Sequence, residues 1–252
     1  YLVKVRGFSF VEAVETLMGK VAVMPTLTVK PKQSEKPKIL LLPDKSKTTD
    51  KIREYLFRRG IDGMIADECI KKGVIFESLP YHNIVFVGFD ENKKPKYAAF
   101  RATNSRRILG DCSGSDKHYS FRLADSESNE VHLFECAIDL LSYATLSKLS
   151  GKDWRKENLV SLAGVYLPKE KIEDSTTPAA VIKYLTDRPD IQKIHIHFDN
   201  DNAGRKATQA LKVILPKRYE IFDEPPKKGK DYNDYLCIQL GIWKSKERNF
   251  ER

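Results

Sequence analysis

The chain has 252 residues, 41% hydrophobic and 31% charged, with Lys and Arg exceeding Asp and Glu to a formal net charge of +9. Such a length fits one large or two medium units, and the composition excludes a disordered or fibrous chain. No uncharged apolar run reaches the roughly 18 residues of a membrane helix and the first residues lack a signal-peptide layout, so the expectation is a cytoplasmic protein with no membrane partner.

The positive charge suits an acidic partner, because Lys and Arg release condensed counterions when they meet phosphates, but charge alone names none. Cys69, Cys112, Cys136 and Cys237 lie far apart, without CxxC pairs or His at zinc spacing, which predicts buried thiols.

In chain order, residues 5–18 carry an apolar pattern compatible with a helix closed by Gly19. Residues 25–38 are rich in Pro, Lys, Thr and Ser and read as an exposed connector, with a boundary near Leu40. Helices are expected over residues 48–59 and 62–72, stopped by Gly60 and Gly73. Strands follow over 83–89, 97–103 and 119–123, with a turn at 90–94, giving an α+β unit that ends near Asp125. Gly110 and Gly114 have no phosphate-loop spacing and are read as turns.

Thereafter the order changes to strand 131–134, helix 137–149, strand 159–162, helix 178–186, strand 193–198 and helix 204–215. This alternation predicts an α/β fold with a parallel sheet covered by helices, whose ligands bind at the carboxyl ends of the strands. The expected division is an N-terminal helix and linker (1–42), an α+β basic lobe (43–128), an α/β domain (129–240) and a C-terminal tail (241–252).

Acidic residues gather at those strand ends and in a late loop. Glu135 follows the apolar run 131–134, and Asp139 lies four residues on, a spacing that places both carboxylates on one helix face. Asp199-Asn200-Asp201 closes strand 193–198, with Ala203 and Gly204 allowing the next helix to start close by. Lys230-Asp231-Tyr232-Asn233-Asp234 follows a Pro- and Gly-containing turn. Converging carboxylates supply the hard oxygen ligands that Mg²⁺ prefers in phosphoryl-transfer chemistry. His195 and His197, at alternate positions before Asp199, are read as structural.

The order β-Glu-x-x-x-Asp-α, β-Asp-x-Asp-x-Ala-Gly-α, Lys-Asp-x-Asn-Asp resembles the toprim domain shared by bacterial primases, topoisomerases and some nucleases, over residues 130–240. The resemblance implies that Glu135, Asp199 and Asp201 are core metal-binding and catalytic acids and that Asp139, Asp231 and Asp234 support them, with Mg²⁺ or Mn²⁺ as cofactor. Primases usually have Gly after the first Glu, where this chain has Cys136, so the turn is expected to be less free to approach a phosphate. The last cluster is nearer the mobile-element form than the Asp-Pro-Asp-Glu of cellular primases, which leaves open whether Asn233 or Asp234 serves the metal. Arg205 and Lys230 are the expected phosphate-binding residues.

Between residues 93 and 122, cations including Lys96, Arg101, Arg106, Arg107, Lys117 and Arg122 interleave with Tyr97, Phe100, Tyr119 and Phe121. Such a mixture suits single-stranded nucleic acid, although a solvated strand face with its aromatics in the core has the same composition. The segments 97–101 and 114–121 resemble the small basic lobe before toprim in primase-like proteins of plasmids and conjugative elements. The opening residues 5–14 resemble the helix that closes a primase zinc-binding module; its Cys/His ligands are not in this sequence, so a longer natural chain is expected.

The resemblance implies a primase-like nucleotidyltransferase in replication or transfer of a mobile element. Its partners would be single-stranded DNA, an RNA primer, nucleoside triphosphates and a helicase or relaxase. A toprim nuclease and a non-catalytic nucleic-acid-binding module are the alternatives, since fold does not decide reaction.

Overall fold

The computed structural model describes residues 39–106, 108–164 and 166–242. The helix and connector expected over 5–38, Arg107 and most of the 241–252 tail lie outside them.

Two helices open the described part, α1 (Asp50–Arg58) and α2 (Gly63–Lys71). Asp62 caps α2 by accepting from the backbone N–H of Met64 and Ile65 at 3.0 and 3.3 Å. The first turn of α1 is satisfied from elsewhere: buried Glu77 accepts from the N–H groups of Lys51 and Ile52 at 3.0 and 3.3 Å. Glu77 belongs to β1 (Ile75–Glu77), which with β2 (Ile84–Phe89), β3 (Pro95–Arg101) and β4 (Leu109–Asp111) forms an antiparallel sheet in chain order. Gly110 therefore lies in a strand rather than a turn, whereas Gly114, at φ +78°, is in a turn.

The second sheet has the order β5-β7-β6-β8-β9. Its strands are β5 (Arg122–Leu123), β6 (Glu130–Phe134), β7 (Asn158–Ser161), β8 (Lys193–Ile196) and β9 (Glu220–Asp223). The four strands from β7 to β9 are parallel, and β5 pairs antiparallel with β7. The strand expected over 119–123 is thus shortened behind a 3₁₀ turn (Lys117–Tyr119), and it joins this second sheet.

Alternating side chains send the two faces of this sheet to different partners. Val131, Leu133, Ile194 and Ile196 pack with Val181 of α4 (Ala179–Asp187) and Leu211 of α5 (Asn202–Ile214). The opposite face meets α3 (Ala137–Leu149) and α6 (Tyr232–Gln239). Leu140, Leu141 and Ala144 of α3 share one core with Ile52, Leu56 and Ile65 of α1 and α2, and with Leu236 of α6. A helix sandwiched in this way is buried on most of its sides, as α3 is. The architecture is α/β, a parallel sheet flanked by helices and preceded by a smaller α+β lobe. No helix among the described residues is long and apolar enough to cross a membrane.

Candidate metal and nucleic-acid site

The chain leaves β6 toward β7 on one side and returns to β8 on the other, so the carboxyl ends of β6 and β8 form a topological switch point. Glu135 directly follows β6 and Asp199 closely follows β8. They meet there: the Asp199 N–H donates to Glu135 Oε1 at 3.1 Å. Glu135 lies before α3, with Cys136 as the N-cap, so it does not share a helix face with Asp139 as the spacing suggests. Cys136 has φ −140° and ψ 167°, extended backbone that any residue adopts, and so the turn needs no glycine. Its Sγ donates to Asp139 Oδ2 at 2.9 Å. Cys112 and Cys136 are half-buried, unlike the buried Cys69 and Cys237, and none of the four is in a disulfide.

Asp201 caps α5, accepting from the Gly204 N–H at 2.9 Å. A Cβ on Gly204 would stand 2.1 Å from the Asp199 carbonyl oxygen, so only glycine lets α5 start against the Asp199 loop. Lys230 Nζ lies 3.3 Å from Asp199 Oδ2 and 3.2 Å from Asp201 Oδ2. The third acidic segment opens a helix, α6, rather than lying in a loop. Asp231 is its cap, accepting from the Asp234 N–H at 2.7 Å, while Asp234 Oδ2 accepts from the Lys230 N–H at 3.1 Å.

Asn233 turns inward. It is 2% exposed, donates to the Arg59 carbonyl at 2.8 Å and to Ser142 Oγ at 3.0 Å, and accepts from Arg59 Nη1 at 3.0 Å. Its amide is consumed in tying α6 to α1 and α3, whereas Asp231 and Asp234 line a cavity of about 520 Å³ with Lys230. The remaining wall of that cavity includes Tyr55, Arg59, Arg101 and Arg106. Tyr55 and Arg59 are not among the site residues expected from the sequence, although residues 55–61 resemble the helix-then-Arg-Gly segment of the primase-like basic lobe.

The acids raise one another's proton affinity. Burial first, and then the Asp199 charge, push the Glu135 carboxyl up to about 7. Asp139 is raised by burial and by Asp231, Asp199 by burial and Asp231, and Asp231 by burial and Asp234. Asp201 is lowered, chiefly by the Gly204 N–H and then by Lys230. An all-oxygen, mutually repelling donor set fits a hard divalent cation, and the Lys230 ammonium stands between two of its carboxylates as a stand-in positive charge.

Other expected site residues are engaged differently. Arg205 donates from Nε to the Asp199 carbonyl at 3.2 Å and from Nη2 to that of Phe198 at 3.0 Å, and pairs with Asp223 at 2.7 Å; its guanidinium buttresses the loop. Arg122 donates to the Phe89 carbonyl at 3.2 Å, and Lys96 faces Asp90 at 3.7 Å. Lys117 lies 3.3 Å from Asp111 and lines a second cavity of about 260 Å³ with Arg101, Phe100 and Cys136. Arg101 and Arg106 therefore stand at the acid edge, and Lys96 and Arg122 do not.

Residues 132–236 match the family described as Toprim-like, and residues 54–127 match a domain described as DUF3991, a protein of unknown function. An uncharacterized protein of Bacillus anthracis, pXO2-78, is 27% identical over 197 residues, 69% of this chain and 49% of that protein. The chain spans about half the length of that curated relative. The catalytic domain of a DnaG primase bound to single-stranded DNA is 14% identical with a TM-score of 0.51, covering 77% of this chain and 71% of that one. The RNA polymerase domain of Mycobacterium tuberculosis primase DnaG is also 14% identical with a TM-score of 0.51, over 78% and 74%. At such identities the likeness is one of fold. Residues 132–236 thus carry a Toprim-like domain, and the chain shares the fold of a primase catalytic core.

Proposed function

We propose that the protein is a primase-like nucleotidyltransferase that copies single-stranded DNA with Mg²⁺ or Mn²⁺, in the replication or transfer of a mobile element. One observation carries this reading: Arg59, Arg101 and Arg106 share the lining of one cavity with Asp231, Asp234 and Lys230, and Lys230 joins that cavity to Asp199 and Asp201. A polyanion bound there meets cationic side chains on one side and needs a metal ion on the other.

Glu135, Asp199 and Asp201 would hold the metal, with Asp139, Asp231 and Asp234 around them; the bound ion supplies charge neutralisation at the transferred phosphoryl group. Lys230, half exposed and placed between Asp199 and Asp201, would offer its charge to a phosphate. Arg101 and Arg106 hold the strand or the triphosphate along its phosphates. Asp139 and Asp231 would add carboxylate oxygens to the set, and Asn233 fixes the helix that carries Asp231. The nucleoside triphosphate, RNA primer and a helicase or relaxase are the partners this reading entails.

The deciding experiment incubates the protein with single-stranded DNA, nucleoside triphosphates and Mg²⁺ or Mn²⁺. New oligomers that depend on the triphosphates support synthesis. Cleaved template without new oligomers replaces this reading with a toprim nuclease, and neither product, with DNA bound, leaves a non-catalytic binding module.

A further inference from the structure

His132, His195 and His197 lie on the face of the second sheet that meets α3 and α6, His132 three residues before Glu135 and His197 two before Asp199. His132 and His195 are register partners on β6 and β8, with rings stacked at 4.5 Å and 12°. His132 Nδ1 lies 2.8 Å from His197 Nε2. His132 is 6% and His197 2% exposed. Glu224, just beyond β9, brings Oε2 to 3.6 Å from His197 Nε2 and 3.3 Å from His195 Nδ1.

The hydrogen bonds fix where the lone pairs point. His197 Nδ1 faces the Glu224 carbonyl at 3.1 Å and Tyr232 Oη at 2.8 Å, and Tyr232 itself donates to that carbonyl at 2.9 Å. Nδ1 must therefore carry the proton, which leaves His197 Nε2 as the acceptor of the His132 Nδ1–H at 2.8 Å. His195 lies between two carboxylates, with Nε2 3.2 Å from Glu130 Oε2 and Nδ1 3.3 Å from Glu224 Oε2. That Nδ1 is buried without a hydrogen-bond partner. A buried nitrogen that faces a carboxylate oxygen in this way calls for a proton or a cation between the two.

The geometry points to a second cation site, formed by His132, His197 and Glu224 with His195 alongside, that takes a transition metal of the Zn²⁺ class. Two imidazoles and a carboxylate are borderline ligands, unlike the all-carboxylate edge, and they favour Zn²⁺ over Mg²⁺. Ligands about 2.0–2.1 Å from a tetrahedral Zn²⁺ lie roughly 3.3 Å from one another. The 3.6 Å separation of His197 and Glu224 fits, and the 2.8 Å approach of His132 to His197 must open by about half an ångström. On binding, the His132 proton moves from Nδ1 to Nε2, so both nitrogens facing the ion are bare and the imidazole stays neutral. Among the described residues, the groups of three or more His, Cys, Asp or Glu whose ligand atoms lie within 4.8 Å of one another are His132, His197 and Glu224, and Glu130, His132 and His195. The half-exposed Glu224 carboxylate gives the ion a way in, and Tyr232, hydrogen-bonded to His197, connects the site to the start of α6 beside Asp231.

Co²⁺ tests the site, because its visible spectrum reports nitrogen ligands and low coordination number. The chelator-stripped protein is titrated with Co²⁺ under millimolar Mg²⁺, in wild type and in the Asp199→Asn and Glu224→Gln variants. Expected are d–d bands saturating at one equivalent, bleached by Zn²⁺, unchanged in Asp199→Asn and at least about ten-fold weaker in affinity in Glu224→Gln. Zn²⁺ raises the melting temperature of Asp199→Asn and not that of Glu224→Gln, which shows in the same samples that both variants fold. Absent bands, or bands lost in Asp199→Asn and kept in Glu224→Gln, overturn the site.

Discussion

The carboxylate edge and the histidine stack stand on the same two strands, β6 and β8, yet they behave as opposites. The histidines point from within the sheet, where Phe134, Tyr143, Phe222 and Tyr232 surround them, and burial depresses His132 to about 3, which keeps it neutral. The acids lie past the paired strand residues: Glu135 and Asp139 are as buried as His132, while Asp199 and Asp201 are partly exposed and paired with Lys230. Inside the sheet burial holds His132 neutral, whereas the acids at the carboxyl edge are left with charge for a hard cation to neutralise.

The sharpest way to break this contrast is Asp199→Asn. Metal-dependent synthesis should fall by at least about a hundred-fold, beyond the 10–100-fold that changes outside a ligand shell cause. Burial and Asp231 disfavour the Asp199 charge, so the metal-free melting temperature of the variant should equal or exceed that of wild type. A variant that melts lower, responds to Mg²⁺ like wild type and keeps its activity would make Asp199 a structural residue.

Gly204→Ala probes the backbone behind the acids. The added Cβ meets the Asp199 carbonyl at 2.1 Å and forces α5 away, with an expected destabilisation of about 1–3 kcal/mol in urea unfolding and weaker Mg²⁺ binding. Asp201→Ala, which removes the α5 cap without that clash, should lose only about 1 kcal/mol. Equal losses in the two variants would show that the close approach of α5 is unimportant.

Replacing Arg101, Arg106 and Arg107 together by Ala should flatten the salt dependence of single-stranded DNA binding, by about 0.7 in slope for each phosphate that these cations neutralise. An unchanged slope would detach the cationic wall from the nucleic acid.

The smallest effect is that of pH. Glu135 titrates near 7 in the fold against 4.5 as its ordinary value, so between those values the native state holds a proton that the unfolded chain has lost. Stability of the metal-free protein should therefore rise as pH falls from about 7.5 to about 5, and saturating Mg²⁺, which holds Glu135 ionised, should flatten that rise. A melting temperature that falls over this window without metal would mean that Glu135 is ionised and paired in the fold.

Much of this molecule is written locally in its sequence. The alternation of strands and helices after residue 130, the Gly60 and Gly73 helix stops and the acids following β6 and β8 all follow from apolar spacing and from residues with special backbone freedom. Tertiary structure alone decided where three-residue β1 and β4 pair, since they are too short for a periodic signal, and that α1 is capped by Glu77 from another strand. It also decided that Arg205 serves two carbonyls rather than a ligand, and that Asn233 turns to Arg59, far away in the chain, while Asp234 stays at the cavity. The order of residues determines which groups can ionise and which elements carry them; only packing determines which are buried, which are already partnered and which keep an unmet charge, because desolvation and hydrogen bonding depend on neighbours that the chain brings together from afar.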